Sequence, residues 1–198
     1  LREAVRRSFN RISVDGDTST NDTCVLLANG MAGNGEIQSK DEAYALFAEA
    51  LTALCIQLAR RMARDGEGAK HLITCTVSGA KSEAAAAVIA KSVIGSSLTK
   101  AAIFGCDANW GRVLCAMGYS GETFDPDAVD VTFASEAGSI AVCRAGRGLD
   151  FDEALAKKVL SAEEVVIEIA MGEGEGSCTC WGCDLTYDYV RINGDYRT

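Results

Sequence analysis

The run DEAYALFAEALTALCIQLARRMAR at residues 41–64 constrains the fold most, because its apolar residues recur at helical spacing for about 20 residues before an Asp-Gly pair. A 3.6-residue period sustained over that length specifies an amphipathic helix, and Ser39 followed three residues later by Glu42 has the spacing of a capping box at its start. Such a helix must lie on an apolar surface, and segments of the other period supply one. HLITCTVS at residues 71–78 is β-rich, DVTF and SIAVC follow Val129, and EVVIEIAM alternates between the two faces of a strand.

Further helices are predicted over residues 82–94, which are Ala-rich, in GRVLCAMG after Trp110, and over residues 152–160. Three more strands are predicted: CVLLA at residues 24–28 as a short buried strand, residues 99–104, and the alternating tail from 177 to 190 behind a Gly-rich turn at 172–176. Strand and helix alternate in the first half and short strands dominate after Val129. The implied class is therefore α/β (α+β mixed), with mixed sheets flanked by helices. No linker or repeat divides the chain, so a single domain over 1–198 is expected, with at most two fused lobes at about 1–125 and 126–198.

Charge narrows the function. Over 198 residues the net charge is −9, which repels phosphate backbones and anionic lipid and argues against a nucleic-acid or membrane-surface role. No uninterrupted apolar run reaches the roughly 18 residues of a membrane-spanning helix. The opening LREAVRRSFN has no apolar core of signal-peptide type, so a cytoplasmic protein is expected, or a mitochondrial matrix one in a eukaryote. The nine Cys sit mostly in apolar runs, where a reduced thiol behaves as a small hydrophobe, consistent with a reducing compartment.

Several motifs invite chemistry and do not sustain it. A Ser-His-Asp or Cys-His mechanism needs an imidazole, and the single His71, at the start of a strand, reads as a satisfied or solvent-facing side chain. DGDTS has calcium-loop spacing but places Thr20 and Leu26 where an EF-hand needs Gly and Glu. GMAGNG is neither G-x-G-x-x-G nor a P-loop, and reads as a turn. Cys178, Cys180 and Cys183 alternate within a strand, so two thiols face one side and one the other, which does not close a tetrahedral metal site.

Two features do better. Glu67, between glycines in RDGEG just past the long helix, puts a carboxylate on a tight exposed turn where it can meet an ammonium group. The closing DLTYDYVRINGDYRT carries aromatic anchors that loose termini lack, so it is expected to be docked.

SFNRISVDGDTSTNDT, LLANGMAGN, RDGEGA, TVSGAKSE, KAAIFGCDANWGRVL, FDPDAVD and CDLTYDYVRINGDYRT resemble, in order and over essentially the whole chain, the signature blocks of the C-terminal (β) chain of the ornithine acetyltransferase (glutamate N-acetyltransferase) family. The resemblance implies a precursor that cleaves itself before a threonine into α and β chains. It further implies an α2β2 assembly with the site between chains, and a ping-pong transfer of acetyl from N2-acetyl-L-ornithine to L-glutamate in arginine biosynthesis. The threonine uses its own α-amine as base, which fits the lack of a usable histidine.

In that family the nucleophile opens a short segment about 20 residues upstream of the block matching LREAV. The threonine is therefore expected upstream of Leu1, no catalytic residue is expected within these residues, and the isolated chain is expected to be inactive. Carried over residue by residue, Glu67, Asn193 and Thr198 match the family's substrate contacts. No cofactor or metal is implied, although acetyl-CoA is an alternative acetyl donor in some members. Lys70 stands where Thr is usual, and a Lys70–Glu67 ion pair is expected to compete with substrate. The rival readings are a same-superfamily acyltransferase or hydrolase with another amino-acid substrate, and a non-catalytic amino-acid- or protein-binding domain.

Overall fold

Strands β1 (Ile12–Ser13), β2 (Leu72–Ala80), β3 (Asp130–Ser135), β4 (Gly138–Arg144), β5 (Arg147–Gly148), β6 (Glu164–Ala170) and β7 (Gly176–Cys183) form one sheet in the order β1-β7-β2-β6-β3-β4-β5. The structure, a computed structural model, describes residues 1–196. The sheet is mixed: β2 runs parallel to β6, with Leu72 opposite Glu164 and Ser78 opposite Ala170, and antiparallel to β7, with Leu72 opposite Cys183. The α/β expectation of a mixed sheet flanked by helices holds.

Among the described residues seven α-helices accompany it: α1 (Arg2–Arg6), α2 (Glu42–Arg64), α3 (Glu83–Gly95), α4 (Ser97–Phe104), α5 (Trp110–Gly118), α6 (Glu153–Leu160) and α7 (Tyr187–Asp195). Alternation along the strands sends Ile73, Cys75 and Val77 into the main core with Ile167, Phe133 and α3's Ile89, all essentially inaccessible to solvent. Each large aliphatic or aromatic side chain among them stabilises the fold by roughly 1.5–3 kcal/mol relative to its exposed state. Leu72 and Trp181 point the other way and pack with Ala63 in a smaller cluster under the C-terminal half of α2.

Four sequence expectations are corrected. Residues 99–104 form α4, a helix: Ser96 ends α3 and caps α4 through its hydroxyl, which accepts from the Thr99 N–H, and the apolar run is buried by packing, which strand and helix achieve equally well. CVLLA forms no strand. β1 ends at Ser13, no strand among the described residues pairs with the segment, and Val25 and Leu27 lie exposed. The tail is a strand only as far as Cys183, after which the Thr186 hydroxyl caps α7 by accepting from the Tyr189 N–H. Finally, α2 is capped by Asp41, which accepts from the Tyr44 N–H, while Ser39 donates to Asp41.

α2 also revises the reading of apolar runs, since by length and composition it is long and apolar enough to cross a membrane. Its inward face buries Thr52, Cys55, Ala59 and Ala63, and its outward face leaves Phe47, Leu54, Leu58 and Met62 exposed. Both faces are therefore apolar, and among the described residues only one is covered.

Candidate functional site

The site forms where α2 turns into β2. After the last residue of α2, Asp65 closes the helix, and Gly66 packs so closely on Cys183 that a Cβ at this position would lie 2.6 Å from its Sγ. Glu67 follows, exposed on the turn, and then Gly68 in the left-handed region at φ +69°. A side chain at Gly68 would meet the Cβ of Asp188 at 2.7 Å and the backbone N of Tyr189 at 2.9 Å, so glycine is required twice over, by conformation and by the approach of α7.

A buried acid joins this turn to β7. Asp184, immediately past β7, accepts from the backbone N–H groups of Lys70 (2.8 Å) and His71 (3.1 Å), and its second oxygen lies 2.7 Å from His71 Nδ1. His71 is thus a satisfied side chain, and among the described residues no hydroxyl or thiol is hydrogen-bonded to it. Two residues on, the Thr186 hydroxyl donates to the Gly68 carbonyl at 2.8 Å.

α7 then runs back across the turn and brings Asn193 to Glu67, with Asn193 Nδ2 donating to Glu67 Oε2 at 2.8 Å and to the Tyr189 carbonyl at 3.0 Å. Both partners are acceptors, so the amide nitrogen must face them, which leaves the Asn193 carbonyl oxygen and the remaining Glu67 oxygen as acceptors. The pair presents negative charge and lone pairs without a free donor. Its chemical complement is a cation that donates hydrogen bonds, such as an alkylammonium.

Glu67 and Asn193, singled out in the sequence, are therefore brought together, and Thr198 lies outside the described residues. Leu1, upstream of which the threonine nucleophile is expected, is exposed and immediately precedes α1, whose Val5 N–H donates to the Leu1 carbonyl. Lys70 departs from expectation: its Nζ sits 5.6 Å from the centroid of the Phe104 ring, a cation–π contact, and makes no ion pair with Glu67 among the described residues. Phe104 in turn meets Tyr187 edge-on, with centroids 5.4 Å apart. The tail is docked through side-chain ties at its start, yet α7 buries none of its residues and leaves Tyr187 and Val190 exposed. Sequence reasoning reads His71 rightly as satisfied but misses its partner Asp184, and misses Tyr189, because these partners are remote in sequence.

Cys178 and Cys180 are buried on the α3 side of β7, where Cys180 Sγ contacts the Ala87 carbonyl, and Cys183 lies with Trp181 on the other side.

Burial pushes the Asp184 carboxyl up, but the His71 side chain and the N–H groups of Lys70 and His71 outweigh it and hold the carboxyl below its usual value. A lowered folded-state value means that the contribution is present in full above the unfolded value of about 4 and is lost as pH falls through the folded value. Acid titration followed by circular dichroism should show stability declining below about pH 4, with a shallower decline in Asp184→Asn. Identical slopes would remove Asp184 from the acid response.

Residues 1–198 match the profile of the ArgJ family. The chain is 55% identical over its whole length to the arginine biosynthesis bifunctional protein ArgJ of Symbiobacterium thermophilum, of which it covers 48%. It is 47% identical to the mitochondrial protein of the same name from Schizosaccharomyces pombe, of which it covers 45%. The chain thus spans about half the length of the curated relatives it matches. Among solved structures, the crystal structure of arginine biosynthesis bifunctional protein ArgJ from Bacillus halodurans superposes with a TM-score of 0.93 at 43% identity, over 99% of this chain and 91% of that one.

Proposed function

Because the chain belongs to the ArgJ family, we propose that it is the substrate-binding part of an acetyltransferase that moves acetyl from N2-acetyl-L-ornithine to L-glutamate, as a step of arginine biosynthesis. The Glu67–Asn193 pair carries this reading, since an acceptor-only site on an exposed turn suits the side-chain ammonium of ornithine. In the proposed ping-pong cycle a threonine hydroxyl, contributed by polypeptide upstream of Leu1, attacks the acetyl carbonyl. The amide C–N bond breaks, the departing nitrogen takes a proton, and ornithine leaves. The glutamate amine then attacks the resulting ester, the C–O bond breaks, and the hydroxyl recovers a proton. Thr198 is proposed as a further substrate contact.

A partner chain cut from the same precursor completes the proposed site. Two observations support it. The matching chain in the Bacillus halodurans crystal is covered to 91%, whereas full-length relatives are covered to about half, as expected if the relative exists as separate chains. The outer face of α2 and the segment around Leu27 and Met31 also expose apolar side chains, with an open trough of about 1230 Å³ between them. An apolar surface of this kind suits an obligate interface.

The test compares acetyl transfer from N2-acetyl-L-ornithine to L-glutamate by these 198 residues alone and by the product of the whole reading frame that encodes them. Transfer by the whole product only is the expected result. Transfer by these residues alone would overturn the two-chain reading, and inactivity of both would overturn the assigned reaction.

A further inference from the structure

Lys100 is a buried cation with no carboxylate partner among the described residues: at 2% exposure its ammonium donates to the main-chain carbonyls of Val14 and Cys183 and lies 3.6 Å from Cys183 Sγ. A charge desolvated to this extent is costly unless its donors are satisfied, so the position of the Val14 carbonyl is fixed from the core. Val14 is also where the chain leaves β1 for the long exposed coil. The next residue, Asp15, uses both of its carboxylate oxygens. Oδ1 accepts from the Asp17 N–H at 3.0 Å, and Oδ2 accepts from the Tyr189 hydroxyl, on α7, at 2.9 Å.

This contact matters because α7 has no buried residue of its own to seat it. Past its N-cap Thr186, the side-chain hydrogen bonds that hold it to the rest of the chain among the described residues are Tyr189 to Asp15 and Asn193 to Glu67. The second is part of the proposed ammonium site and would be disturbed by substrate. The first is outside it, and Tyr189 also fixes Asn193 directly, since its carbonyl accepts from Asn193 Nδ2. We infer that Asp15 and Tyr189 are positioning residues, a clamp that presents the Asn193 carbonyl oxygen beside Glu67 so that the pair meets the substrate ammonium preformed. The inference rests on the substrate reading of Glu67 and Asn193 given above.

The clamp is suited to stay closed across the working pH range. The hydrogen bond to Asp15, burial, and the charges of Asp15 and Glu67 push the Tyr189 hydroxyl up to about 12, so it remains a donor. Its loss removes pre-organisation, and substrate binding must then supply the ordering of α7.

The experiment uses the product of the whole reading frame carrying Tyr189→Phe, Asp15→Ala, both together, or Glu67→Gln as a reference. The Phe variant keeps the half-buried ring and deletes the hydroxyl alone. Each clamp variant should raise KM for N2-acetyl-L-ornithine by about tenfold, the equivalent of roughly 1.4 kcal/mol, with kcat within about twofold and Tm unchanged. The double variant should be no worse than either single one, because both remove the same bond. An unchanged KM in the clamp variants with a raised KM in Glu67→Gln would overturn the clamp and keep the ammonium site. Additive effects, or a KM change that tracks a lowered Tm, would also overturn it. An unchanged KM in Glu67→Gln would overturn the site reading, and the clamp with it.

Discussion

Exchange of Glu67 for Gln in the product of the whole reading frame should lower kcat/KM for N2-acetyl-L-ornithine between about 10- and 100-fold, since a hydrogen bond to a charged partner contributes about 1.5–3 kcal/mol and each 1.4 kcal/mol is a factor of ten. The substitution keeps the shape of the side chain and an acceptor for Asn193 Nδ2, so the turn between Gly66 and Gly68 is left intact. What disappears is the charge proposed to meet the ammonium. The change should appear in KM with Tm unaltered, measured by steady-state kinetics and thermal denaturation together. An unaltered KM would mean that the carboxylate is only a partner for Asn193, and the ammonium site would have to be sought elsewhere.

The second large effect is on stability. Asp184→Ala should destabilise the chain by about 3–5 kcal/mol, since two or more hydrogen bonds to a buried charged acceptor, contributing about 1.5–3 kcal/mol each, are lost at once. Its side chain is fully buried, and two backbone N–H groups and the His71 ring lose their acceptor at once. For a domain of this size each kcal/mol shifts Tm by roughly 2–4 °C, so a fall of about 6–20 °C is expected in calorimetry. Asp184→Asn, which retains one carbonyl oxygen for the two N–H groups, should lose distinctly less. Equal losses would show that the His71 contact, and not the backbone pair, dominates.

The legible parts of the fold are those in which local chemistry and burial agree. β2, α3 and β6 each combine a clear period with a suitable start, as when Ser82 caps α3 by accepting from the Ala85 N–H. α4 is not legible because its six-residue run TKAAIF satisfies either period, and what decides it is the Ser96 hydroxyl at the joint with α3. α7 reads falsely as a strand because aromatic and charged residues alternate in TYDYVR as they would in a half-exposed one. At the site, Glu67 stands out through its flanking glycines, and Asn193 and Thr198 enter only through family resemblance. The contact between Glu67 and Asn193 joins residues 126 apart, and the Tyr189–Asp15 bond joins residues 174 apart. Pairings of that span are set by the sheet order, which no local pattern encodes.

That sheet order also bears on how the chain is made. β2, the strand with the most extensive pairing, finds both of its neighbours in the last quarter of the sequence, at Glu164–Ala170 and Gly176–Cys183. On a ribosome adding about 5–20 residues per second, the stretch between Leu72 and Glu164 takes on the order of 5–20 s. Throughout that interval nascent β2 has apolar side chains and unpaired backbone groups with nothing to receive them. Truncated or stalled products ending before β6 are therefore aggregation-prone by construction, and the yield of the chain in a cell is governed by how its central strand is shielded while it waits.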